Sequence, residues 1–245
     1  MRAFFNGLIL GIIFGALAFW YIQKKAGEHP EAQQRYEQAA EEGASNVTHA
    51  AESMSEALRA RLDHPGDESE LVVEDQDLRG WSFAGADLAG VNLIGCDLSG
   101  CDLSAADLAY GHHALSRFCS ANLTGAQLLK ANYTEADFSD AVLLDAKALR
   151  ADFRDARLRR ADLSGAELTR TSLVDADLRF ARMIGANLHN AWLTGAKLHG
   201  ADLATAREVQ TADADWIDVG PEGQEEILRG EAARAWLLRA AAADR

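Results

Sequence analysis

The chain has 245 residues with 38 acidic against 24 basic side chains, a net charge of −14, which disfavours nucleic acid as a partner. Three cysteines are an odd number and too few for a disulfide framework. The length allows one or two domains.

From Ala3 to Ile22 no residue is charged. As a helix this run would span about 30 Å, one hydrocarbon core. Trp20 and Tyr21 stand where interfacial aromatics belong, and Lys24 and Lys25 follow. Ala16-Leu17-Ala18 also resembles a cleavage site. The apolar run continues past it, however, and the basic segment before it is only Arg2 and the amine, so an uncleaved transmembrane anchor over 1–25 is expected. Lys24, Lys25 and Arg35 after the span outweigh Arg2 before it, placing the body in the cytoplasm of a bacterial inner membrane. Gly7, Gly11 and Gly15 form a small-residue stripe that would let such helices associate. Residues 26–66 are rich in Ala, Glu and Gln with a thin apolar stripe of Met54, Leu58 and Leu62. They predict a solvated helical stalk, which His64-Pro65-Gly66-Asp67 stops.

Next comes a period of five. Every fifth residue from Leu78 to Leu203 is a large core residue, mostly Leu, with His113 and Ala148 as the departures. Two residues before it the position is usually small, with Ala in 18 of 26 cases, as in Ala161-Asp162-Leu163-Ser164-Gly165. Residues two apart on a strand point the same way, so each Ala–x–Leu pair faces inward together. The next inward residue is three along, which demands a corner. Four right-angle corners close a square of roughly 20 residues, and coils stacked at the strand spacing of about 4.8 Å make a solenoid. The repeat is assigned to 67–210.

Runs such as Ala86-Asp87-Leu88-Ala89-Gly90, Ala121-Asn122-Leu123-Thr124-Gly125 and Ala201-Asp202-Leu203 resemble the pentapeptide-repeat family, with its Ala-(Asp/Asn)-Leu-x-x consensus. The resemblance implies an all-β solenoid, a right-handed quadrilateral β-helix. It also implies one functional alternative: some members resemble DNA in shape and charge and act on DNA gyrase.

A 20-residue coil predicts which exceptions touch. Leu93, His113, Tyr133 and Phe153 form one internal ladder, and Phe118 stacks with Phe138. Ala148 makes room for these rings or leaves a small pocket. Outside, Lys130, Arg150 and Arg170 form a basic ladder beside Leu129 and Leu149. These five are the candidate partner-binding surface, the bland alternative being solvated side chains. Residues 71–145 carry a net −8, through Asp77, Asp87, Asp97, Asp102 and Asp107 among others, whereas 146–208 carry +3. His112, His189 and His199 fall on different sides, and no metal site is expected.

Finally, Gly220-Pro221 predicts a helix from Glu222 to about Ala242 within a C-terminal segment, 211–245, that caps the last coil or pairs with a second copy. No nucleophile–base pair, phosphate loop or metal signature appears. The reading is a membrane-tethered, single-span, non-enzymatic module that needs no cofactor and presents a rigid scaffold to a protein partner. Homo-oligomers would form through the transmembrane or C-terminal helix.

Overall fold

The five-residue period becomes one corner every five residues. The computed structural model describes residues 71–242, so the 1–25 anchor with Gly7, Gly11 and Gly15 and the 26–66 stalk lie outside the described residues. Among the described residues no helix is long and apolar enough to cross a membrane.

At most corners an inward carbonyl accepts from the N–H three residues on, as in Trp81 to Leu78 at 3.2 Å and Ala86 to Phe83 at 2.9 Å, whereas the Cys96 N–H donates to Ser116 Oγ instead. Every fifth residue from Asp75 to Thr205 then has a positive φ, between 52° and 80°. Turns that reverse φ at their third residue favour glycine there, and the first coils comply with Gly80, Gly85 and Gly90. Later corners place Lys130, Arg150 and Arg170 in the same left-handed conformation. Between corners, single residues bridge to the coil above and below in parallel. Asp102 pairs with Asn122, Asn122 with Val142 and Val142 with Asp162, and the 20-residue offset holds through Asn187 with Arg207. Strands β1 (Val72–Glu74) and β2 (Asn92–Ile94) follow the same register.

The consensus Asp or Asn has a local task. Its side-chain oxygen accepts the backbone N–H two residues on, as in Asp102 to Ser104 (3.1 Å), Asp107 to Ala109 (3.0 Å) and Asn132 to Thr134 (2.9 Å). This is the turn that Asx side chains favour. The acidic first half therefore owes much of its charge to corner formation.

The core is the inward pair of every pentad. Leu88, Leu98, Leu103 and Leu128 are fully buried, as are the alanines of the small slot from Ala121 to Ala196. Each such Leu contributes about 1.5–3 kcal/mol of apolar burial. Cys96 and Cys101 occupy the small slot and donate their thiols to the Val73 and Leu78 carbonyls at 3.3 and 3.0 Å. The aromatic ladder is continuous, with ring centroids 5.0 Å apart for His113–Tyr133 and Tyr133–Phe153 and 4.6 Å for Phe118–Phe138.

The C-terminal segment differs from the expected helix at Glu222. A 3-10 turn, Val209–Thr211, inserts one residue, so Trp192 bridges Asp213 and Lys197 bridges Asp218. The bridge ladder thus runs past 210 to Asp218. Strand β3 (Trp216–Asp218) pairs antiparallel with β4 (Ile227–Arg229), and the helix, α1, begins only at Glu231 and ends at Ala241. The physical reason is Asp218: its buried carboxylate accepts the N–H groups of Gly220 and Glu226, each at 3.0 Å, folding 219–226 into a loop. Gly220 is required there because any Cβ would strike the backbone of Gln224–Glu226. Helix α1 buries Ala233 and Leu237, and its Ala241 carbonyl accepts the Thr205 N–H at 3.0 Å.

Candidate functional site

Arginines on this surface are mostly engaged. Arg154 meets Asp152 at 2.6 Å, Arg160 meets Asp140 at 2.6 Å, Arg182 meets Asp162 at 3.1 Å and Arg207 meets Glu167 at 2.8 Å. Arg159 reaches Glu222 at 2.8 Å, and Arg179 pairs with Asp177 and Glu222. The guanidiniums hold the Asp140 and Glu222 carboxyls below their ordinary range through hydrogen bonds.

Lys130, Arg150 and Arg170 differ: all three are exposed and none makes an ion pair among the described residues. They share one corner. The N–H of Lys130 donates to Leu149, that of Arg150 to Thr169 and that of Arg170 to His189, at 3.0, 3.0 and 2.8 Å. Tyr110 precedes them in the same column, its N–H on Leu129 at 2.9 Å. Lys130 Nζ stands 5.5 Å from the Tyr110 ring centre, a cation–π distance. Of the two leucines beside the column, Leu149 is 38% exposed whereas Leu129 is half-buried.

His199 lies apart from this corner, while His189 accepts the Arg170 N–H there through its carbonyl. Cys119 is half-buried. His199 Nδ1 lies 3.1 Å from the Val219 carbonyl, and His189 contacts Asn190 and Thr211. Tyr110 and Leu115, exposed at 55% and 58%, were missed by sequence reasoning that followed the outward apolar residues of later coils only. Listing each corner column in full would have found them.

Against known proteins, the family model described as "Pentapeptide repeats" matches in eight copies across residues 82–207, in overlapping segments. No curated protein matches. Among solved structures, a trypsin-treated variant of QnrB1, a plasmid-mediated fluoroquinolone resistance protein, is 23% identical at a TM-score of 0.31, covering 59% of this chain and 78% of its own. HetL, involved in heterocyst differentiation regulation in Nostoc sp. strain PCC 7120, is 22% identical at 0.32, covering 69% and 97%. A thylakoid-lumen protein of Arabidopsis thaliana is 27% identical at 0.21, covering 66% and 90%. At such TM-scores none of the three bears on what this chain does.

Proposed function

Because the chain belongs to the pentapeptide-repeat family, we propose that it is a membrane-tethered, non-enzymatic module, wound right-handed as the family implies, that docks a protein partner on one corner. The observation that carries this reading is the column of Lys130, Arg150 and Arg170, left without ion pairs where neighbouring arginines have them. Unpaired cations beside exposed Leu149 and Tyr110 make a surface with both charge and apolar area to offer. The uncharged run from Ala3 to Ile22 supports the tether. A core filled by its own repeat supports the absence of catalysis, since it leaves little room for a substrate pocket.

The gyrase alternative draws less support. DNA mimicry needs a column of one sign, but Asp97, Arg117, Asp137, Arg157, Asp177 and Lys197 are successive rungs of one ladder, and their charges alternate.

Pull-down from solubilised membranes tests the docking corner. The natural chain is expected to retain a protein that the Lys130→Ala, Arg150→Ala, Arg170→Ala variant loses by about tenfold or more. Equal retention by both would remove the corner from the function.

A further inference from the structure

The basic corner is one edge of a flat side whose other edge has the opposite charge. Five residues on from Tyr110, Lys130, Arg150 and Arg170 stand Leu115, Glu135, Asp155 and Asp175. They too form one column: the N–H of Leu115 donates to Thr134, Glu135 to Arg154, Asp155 to Val174 and Asp175 to Thr194, at 2.9–3.0 Å. All four sit at positive φ, on the corner itself. Between the edges runs the ladder His112, Asn132, Asp152, Ser172, Trp192. Glu135, Asp155 and Asp175 make no ion pair among the described residues, while Asp152 in the middle is already held by Arg154.

From these positions we infer that the side between the two corners pairs with the same side of a second copy, the two solenoids running parallel. This deepens the docking reading, on which it rests, by naming the occupant of the basic corner. The symmetry selects the orientation. Turning the second copy about an axis along the solenoid exchanges the two edges and keeps each coil at its own height. Lys130 then faces the second copy's Glu135, Arg150 faces Asp155 and Arg170 faces Asp175. Turning it end over end sets cations against cations, which opposes association. The same parallel turn brings Tyr110 against Leu115, which at 55% and 58% have the greatest fractional exposure among the large apolar residues described. Trp192, 46% exposed on the central ladder, meets its counterpart near the axis. A two-fold contact of this kind is self-complementary and closes at two copies.

Cross-linking the full chain in detergent tests the pairing, in a Cys119→Ser background. One tagged copy carries Arg150→Cys and a second carries Asp155→Cys, bridged by a short bis-maleimide. The mixed 150–155 cross-link is expected to exceed the 150–150 and 155–155 products by about tenfold. Adding Lys130→Glu to the first copy should cut that yield by about tenfold, and adding Glu135→Lys to the second should restore it. Circular dichroism confirms that each variant is folded. Equal yields for all three products, or a loss that the reciprocal change does not repair, overturn the inference. A different protein captured through Lys130, Arg150 and Arg170 without the 150–155 product removes the pairing and leaves the docking corner standing. Neither capture nor cross-link removes both.

Discussion

His113 lies wholly inside the solenoid, with Nε2 3.4 Å from the Leu108 carbonyl and Nδ1 without a partner. Gly111 stands in the small slot before it, where a Cβ would strike the imidazole, so the ring fits because its neighbour has no side chain. Burial pushes the His113 pKa down to about 4. An unfolded chain therefore binds a proton below about pH 6.5 that the folded one refuses until about pH 4. Stability from this residue is whole above pH 6.5 and falls as pH drops through the window, by about 3 kcal/mol in all. His113→Phe should flatten that pH dependence and raise stability at pH 5, read by denaturant unfolding at several pH values. An unchanged slope would place the buried proton uptake elsewhere. The Tyr133 hydroxyl beneath it also lacks a partner, and burial pushes its pKa well up. Its neighbours in the stack were legible from the 20-residue spacing. Their unsatisfied polar atoms were not, because hydrogen bonding depends on ring orientation.

The repeated element is the corner. A non-glycine residue at positive φ costs about 1–2 kcal/mol, partly offset when glycine would lose more entropy on folding. Ala105, at φ 55°, packs little there and is exposed. Ala105→Gly should raise stability by about 0.5–1 kcal/mol. Gly165, at φ 70°, has the Asp145 carboxylate of the preceding coil over it, so Gly165→Ala should lower stability by about 1–2 kcal/mol. Thermal melts of the two variants check both signs. Corner spacing was readable because an inward pair followed by a three-residue step admits no regular helix or strand. The β3–β4 hairpin was not readable. It depends on the Asp218 carboxylate meeting the N–H of Glu226, eight residues away, and Ile227 and Leu228 serve a strand as well as they would a helix. The acidic corner of Glu135, Asp155 and Asp175 was legible in principle. It is the basic ladder's own spacing moved by five.

At the scale of the whole molecule, a stack of identical coils presents an open row of backbone groups at each end, and such edges invite further strands. At the C-terminal end the hairpin and α1 occupy that position, with Leu237 buried and Ala241 bonded to Thr205. Ending the chain at Gly230 should expose the last coil and cause concentration-dependent self-association, measured by light scattering. A truncated chain that scatters like the natural one would assign the protection to the hairpin alone. The one-residue insertion at Val209–Thr211 contributes separately, because it puts the last rungs out of step with the 20-residue ladder that precedes them.

The uniform register also governs how this molecule tolerates changes of length. Losing or gaining 20 residues, the offset of the bridge ladder, removes or adds one storey and leaves every side facing as before. Losing five turns everything downstream by a quarter revolution. Either change keeps the inward Leu in place, so both can fold, yet a five-residue deletion between Arg150 and Arg170 would split the cationic column between two sides. Insertions and deletions in this chain therefore act as a dial, setting height in one increment and compass direction in another.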